Sequence, residues 1–157
     1  MVALSAATVQ TVNPGEVVVW TDNIIPGGGC VNVLRGVGNV ELSGRLKYPY
    51  RVCRCEGGLY VAYLAEFGAN IGVPTGETVG EISLAFAVNG TPIPATTMRV
   101  TPAAVEQFFN VGREFPARIL AGCCQTLTIQ NTSTIPILVN DATLVIDRKG
   151  AVTAGRW

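Results

Sequence analysis

The stretch Glu81-Ile82-Ser83-Leu84-Ala85-Phe86-Ala87-Val88-Asn89-Gly90-Thr91-Pro92-Ile93 decides how the rest of the chain is read. Its large apolar residues, Ile82, Leu84, Phe86 and Val88, fall on every second position, and Glu81, Ser83, Ala85 and Ala87 take the alternate ones. Period two is the signature of a strand, here with one face in a core and a face of small residues opposite. The Asn89-Gly90 step that follows is the strongest short-range signal for a hairpin turn. Gln125-Thr126-Leu127-Thr128-Ile129-Gln130 repeats the pattern, with Leu127 and Ile129 inward.

Working outward, breaks recur at Asn13-Pro14-Gly15, Pro26-Gly27-Gly28-Gly29, Gly36-Val37-Gly38, Glu56-Gly57-Gly58, Pro74-Thr75-Gly76 and Gly122. Between them lie short runs of Val, Ile, Thr, Leu and aromatic residues, the spacing of an all-β sandwich or barrel. Ten strands are expected, over 16–21, 31–35, 39–42, 50–55, 59–69, 78–88, 96–100, 104–111, 124–131 and 142–147. Pro102 to Phe109, which Thr101 could cap, is the one helix candidate, and the strand reading of 104–111 is preferred to it. No internal repeat or linker is visible, so one domain over 1–148 is expected, followed by a tail over 149–157.

Two strands look covered on both sides. In 59–67, Tyr60, Ala62 and Leu64 share one face while Leu59, Val61, Tyr63, Ala65 and Phe67 share the other. Leu144-Val145-Ile146 is likewise apolar on both faces, and in a sandwich the second cover is often another subunit. Composition agrees: 157 residues, 48% hydrophobic, 14% charged and a formal net charge of zero describe one domain with little self-repulsion to keep copies apart. Without a positive surplus, binding to nucleic acid or an anionic membrane has little to draw on. The first eleven residues lack the pattern of a signal peptide, and no run of 18 apolar residues marks a membrane span.

The chain has no histidine, which removes the usual general base, the imidazole metal ligand and any Ser-His or Cys-His pair. Cys30, Cys53, Cys55, Cys123 and Cys124 lack the paired Cys-x-x-Cys spacing of a zinc site; inert buried thiols are the leading reading, with a disulfide or a metal as alternatives. No metal or cofactor is expected. Glu66, Glu77, Glu81, Glu106 and Glu114 could supply an acid and base pair only if two faced each other in a cleft, and a solvated strand face is preferred. Gly27-Gly28-Gly29 lacks the Lys-Ser or Lys-Thr of a phosphate loop, and the glycosylation patterns at Asn89 and Asn131 sit at turns.

Three further stretches carry a resemblance. Glu56-Gly57-Gly58-Leu59-Tyr60-Val61-Ala62 resembles the Gly-x-Tyr lead-in to a central strand of the tumour-necrosis-factor-like and complement-globular-head jelly rolls. Residues 82–93 are similar to the strand and Asn-Gly turn of the bacterial branch that caps collagen-like surface and spore-coat filaments. Leu127-Thr128-Ile129-Gln130-Asn131 with Ala142-Thr143-Leu144-Val145-Ile146-Asp147-Arg148 resembles its closing strand pair. The resemblance spans 52–148, without a Gly-x-y stalk before it, and chains of this look are similar to proteins of phage structural regions.

It implies an antiparallel ten-stranded jelly-roll sandwich, a homotrimer, and structural or binding work without catalysis. The expected setting is a phage virion, assembled in the host cytoplasm, with the trimer serving as a capsid decoration or head-fibre protein. Its partners would be the major capsid protein or another virion protein, and a glycan or host surface. A bacterial surface or spore-coat trimeric tip is the alternative, and a carbohydrate-active enzyme on the same scaffold a third reading. Tyr60, Ala62, Leu64, Phe108, Val145 and Trp157 are the residues expected at the trimer axis or a partner contact.

Overall fold

The computed structural model describes residues 1–27, 30–34, 36–45, 59–122 and 124–153. Among them are twelve strands: β1 (Val2–Ala6), β2 (Gln10–Val12), β3 (Asp22–Ile25), β4 (Val31–Val33), β5 (Val40–Ser43), β6 (Leu59–Gly72), β7 (Ile82–Val88), β8 (Thr91–Pro92), β9 (Met98–Val100), β10 (Phe109–Leu120), β11 (Cys124–Asn131) and β12 (Ile137–Thr153). No α-helix occurs among the described residues, and a single 3-10 turn spans Pro94–Thr96. The strands form two antiparallel sheets. The first runs β10-β6-β12-β1-β3, with β2 also on β12, and the second runs β4-β5-β11-β7-β8, with β9 also on β7. From β5 onward the chain passes back and forth between the sheets, which is jelly-roll connectivity.

The alternation that decided the reading is realised. Ile82, Leu84 and Phe86 are fully buried, and the small face is covered too, with Ala85 and Ala87 at 0% exposure. Asn89 and Gly90 both have positive φ, 50° and 78°, as a two-residue hairpin turn of the primed kind requires. Asn89 also locks the turn to β11: its N–H donates to the Thr126 carbonyl, and its Oδ1 accepts the Thr126 N–H. Strand β11 coincides with its expected limits. Between the sheets an aromatic chain runs Trp20–Phe67–Phe86–Phe115, with ring centroids 6.4, 6.5 and 5.3 Å apart.

Several expectations are corrected. Residues 16–21 form no strand, only the bridge Val17↔Gln130, while β1, β2 and β3 appear around them. β1 sits inside the first sheet, between β12 and β3, so the amino-terminal segment is structural. Residues 104–108 are neither strand nor helix: Glu106 takes a φ of 55° and donates its N–H to the Val73 carbonyl at 2.7 Å, which breaks either periodicity. β10 begins instead at Phe109 and continues through Pro116, tolerated because β10 is an edge strand and its missing N–H costs no ladder bond. β12 continues past 148 to Thr153 through a bulge between Arg148 and Gly150, so the first part of the expected tail is strand. The strand expected over 50–55 lies outside the described residues.

One end of the sandwich is closed by a polar latch. Tyr63 points inward from β6 at 1% exposure, and its hydroxyl lies 2.7 Å from the Ser43 carbonyl and 3.1 Å from the Cys30 carbonyl, across the core on the other sheet. Its register partner Arg148 donates from Nη2 to the Arg45 carbonyl at 2.9 Å. Burial pushes the Tyr63 phenol above its ordinary value, and Cys30 adds to the shift. The native state therefore keeps this proton where the unfolded chain has lost it, so the stability it carries is full below about pH 10 and falls as pH rises beyond it. Tyr63→Phe should cost about 1–2 kcal/mol at neutral pH in urea unfolding, because the carbonyls lose their donor. The variant should also lose stability less steeply above pH 10 than the parent; parallel curves would show that the phenol does not titrate with folding.

Candidate functional site

Strand β6 is hydrogen-bonded on both sides, to β10 and to β12, so its two faces belong to different environments. Inward lie Val61, Tyr63, Ala65, Phe67, Ala69 and Ile71, none more than 4% exposed. Outward lie Tyr60, Ala62 and Leu64, all half-buried, followed by Glu66, Gly68 and Asn70. The registers place neighbours beside each on that outer face. Leu120 stands opposite Tyr60, Arg118 opposite Ala62, and Pro116 opposite Leu64 on β10. On β12, Val145 stands opposite Glu66, and Ala3 of β1 continues that row.

The outer face is thus graded along β6. One end carries Leu120, Tyr60, Ala62, Pro116 and Leu64, with Val145 and Ala3 beyond. The other end is a row of carboxamides. There Asn110, Asn70 and Asn140 are register partners across three strands. Asn110 donates to Asn70 Oδ1 at 3.2 Å, and Asn140 donates to the Asp141 carboxylate at 3.0 Å. Leu120 is 52% exposed, so apolar surface remains open to solvent in a single chain.

Of the six residues expected at an axis or partner contact, Tyr60, Ala62, Leu64 and Val145 share this outer face. Phe108 does not join them. It is 39% exposed at the far end of β6, where its ring lies 3.5 Å from the position a Cβ would take on Gly72. Twelve residues of extended strand separate that point from Tyr60, roughly 40 Å at about 3.3 Å per residue. Trp157 lies outside the described residues. Sequence reasoning missed Pro116, Leu120 and Ala3, because the strands that carry them were not assigned; the signal available was the alternation of Val111, Phe115, Ala117 and Ile119 against polar neighbours around Pro116.

Charges border the apolar end, and one, Arg118, stands within it between Pro116 and Leu120. Asp147, opposite Leu64, accepts a hydrogen bond from Lys149 Nζ at 2.7 Å and lies 3.7 Å from the amino terminus. The Lys149 hydrogen bond, aided by both positive charges, holds the Asp147 carboxyl below its ordinary value and raises Lys149 in turn. Of the candidate carboxylates, Glu66 and Glu114 are the pair brought together, directly opposite each other on β6 and β10. Glu81 pairs instead with Arg99 at 3.9 Å, and Glu77 and Glu106 sit in turns elsewhere. Glu66 and Glu114 stand on an open sheet face and do not line the hollow described below.

The cysteines also differ from expectation in part. Cys30 is half-buried with a free thiol, and Cys124 is exposed at the start of β11, so neither is a fully buried core thiol. Both line a hollow of about 310 Å³ with Glu41, Ser43 and Arg45. Among the described residues, no group of three or more Cys, Asp or Glu is arranged to hold a metal ion. Cys53, Cys55 and Cys123 lie outside the described residues.

No protein-family model matches the chain, and no curated protein matches it. Among solved structures it is similar to the globular domain of zebrafish complement 1qA protein, at 8% identity and a TM-score of 0.49, over 93% of this chain and 94% of that one. It is similar to a family 35 carbohydrate-binding module from an environmental isolate, at 15% identity and a TM-score of 0.39, over 100% of both chains. The sugar-binding C-terminal domain of EclA follows at 12% identity and a TM-score of 0.34, over 78% of this chain and 86% of that one. Likenesses this distant assign the chain to no family.

Like charges directly opposite each other on a sheet are destabilising by about 0.2–1 kcal/mol. Glu114→Gln should therefore raise the thermal midpoint, and added salt should raise the parent's midpoint more than the variant's, because salt screens the repulsion. A variant less stable than the parent would show that Glu114 has a partner outside the described residues.

Proposed function

We propose that the domain is a non-catalytic assembly and adhesion module whose copies pack as a homotrimer through the outer face of the first sheet. One observation carries the reading: the half-buried row Tyr60, Ala62, Leu64 and Val145, extended by the exposed Pro116 and Leu120, lies on a sheet face that the described residues cover less completely than the inner face. Burying such a row is favourable at about 25 cal/mol per Å² of apolar surface, and exposing it is the state a monomer would have to tolerate. The carboxamide row at the other end is well solvated alone, so the packing concentrates where Tyr60 to Leu64 lie. The charges that border the row are few and mixed, as the rim of a subunit interface is.

The setting that fits is the virion of a phage, with the trimer attached to a capsid as a decoration or head-fibre protein after assembly in the host cytoplasm. Its support is the resemblance of 82–93, 127–131 and 142–148 to the collagen-tip branch, together with the apolar composition and its net charge of zero. The work is done by burial. One face holds three copies together, and the remaining surface meets the capsid and whatever the particle touches.

Leu64 stands between Pro116 and Asp147 on the outer face, so arginine there leaves the core intact and places a charge in the row. The parent should show three times the 16.5 kDa chain mass by light scattering. Leu64→Arg should show the single-chain mass with an unchanged far-ultraviolet spectrum, the association weakened by about 100-fold or more. A folded parent that is monomeric at micromolar concentration, or a variant that remains trimeric, would overturn the assembly. Copurification with phage heads is expected of the native protein; its presence only on host envelopes would overturn the virion setting alone.

A further inference from the structure

Among the described residues, charged side chains are sorted along the strand axis. At the Gly72 end of β6, the loop 73–81 leads to β7, and the loop 101–108 leads from β9 to β10. The strands they join pair at both ends, Ile71 with Phe109 and Ile82 with Val100, so the two loops lie side by side over this end of the sandwich. Glu77 and Glu106 sit on them, Asp141 stands close by beside Asn140 and Asn70, and the Glu16 carbonyl accepts the Asn131 N–H at the end of β11. Glu81 is there too, paired with Arg99. The Leu59 end of β6 gathers cations instead: Arg45 just past β5, Arg118 near the end of β10, and Arg148 and Lys149 on β12. Its carboxylates are Glu41 and Asp147, the second already held by Lys149 and the amino terminus. Asp22, Glu66, Arg113 and Glu114 lie midway. A chain with a formal net charge of zero thus has one acidic end and one basic end.

The acidic end is also rigidly built. Glu106 holds a φ of 55°, which side chains rarely adopt, through its N–H on the Val73 carbonyl at 2.7 Å. Gln107 Oε1 accepts the Ala103 N–H at 2.9 Å, and the Gln107 carbonyl lies so close to Gly72 that a Cβ there would stand 3.0 Å from it. Strained backbone persists only where its surroundings over-determine it, and it clusters at clamps and switch regions. The loop so fixed presents Val105 and Phe108, and Val79 stands on the neighbouring loop, each more than a third exposed. Docking on a surface set in advance loses little freedom.

We infer that copies of this chain stack head to tail, the acidic end of one layer on the basic end of the next. Carboxylates interleaved with exposed apolar groups fit arginine in particular, whose guanidinium pairs with a carboxylate or lies over a ring such as Phe108 while its stem covers aliphatic surface. Two acidic ends repel each other, and so do two basic ones, so the contact joins unlike ends. A contact of that kind is heterologous, and where its rotation does not close a ring it propagates as a filament. The inference deepens the proposed assembly and rests on it for the number of copies in each layer. The layer depends on the outer face of the first sheet and the stack on the two ends, so either can fail alone.

The test weighs the full chain by light scattering at low and high salt. At about 0.01 M, where charges act over about 30 Å, the parent should show at least twice the mass of one layer; at about 1 M, where they act over about 3 Å, it should show the layer alone. Glu106→Lys and Arg45→Glu, both at exposed side chains, should keep the parent's far-ultraviolet spectrum and each need at least tenfold more protein to stack. Glu77→Gln, which removes a charge without reversing it, should act in the same direction. Mixed in equal amounts, Glu106→Lys and Arg45→Glu should associate at the parent's concentration, because one keeps an intact basic end and the other an intact acidic end. A parent of the same mass at both salts, stacking that survives both reversals, or a mixture no heavier than its components would overturn the stack. The two proposals separate in the same data: a trimer of constant mass overturns the stack only, and a chain that is monomeric at 1 M yet grows at low salt overturns the trimer only.

Discussion

The pairing of β6 with β10 on one side and β12 on the other is the constraint from which the rest of the structure follows. It holds a fourteen-residue strand flat enough for its alternation to divide cleanly into a buried inner row and a half-buried outer row. The inner row, from Val61 to Ile71, supplies one wall of the core and places Phe67 between Trp20 and Phe86. It also carries Tyr63, which reaches across to the carbonyls of Cys30 and Ser43 and so fixes the second sheet against the first. Because the registers are set by that inner row, the outer row cannot slip into the core, and a one-residue shift would expose every inner side chain.

The outer row is less covered by the described residues than the inner row is. The small outer face of β7 is buried in the monomer, as Ala85 and Ala87 show, whereas Tyr60, Ala62, Leu64 and Val145 keep part of their surface open. The two sheets are therefore not equivalent. In the proposed trimer, assembly through the first sheet would remove its apolar end from water and leave the carboxamide end and the charged border available for other contacts.

Much of the architecture was legible in the sequence because strands with a buried face write their period into it. β7, its Asn89-Gly90 turn, β11 and the two faces of β6 were all readable from alternation and turn chemistry. Four of the six expected contact residues share a face for the same reason. The misses have physical causes. β1 and β3 are short, and β3 is largely exposed, so neither carries a strong pattern. Pro116 disguised the middle of β10, since nothing local reveals that a strand lies at an edge. Phe108 was expected at the same contact as Tyr60, and the register that puts Phe109 opposite Ile71 is a tertiary fact.

The central claim is that the outer apolar row of the first sheet is covered by other copies of the chain. Methyl NMR of the parent protein with a soluble paramagnetic agent tests it at the residues concerned. The methyl groups of Ala62, Leu64 and Val145 should be as shielded as that of the core residue Val61, while Val37, 52% exposed, is broadened. Broadening of Ala62, Leu64 and Val145 to the extent seen for Val37 would mean that the row faces solvent, and would contradict the account.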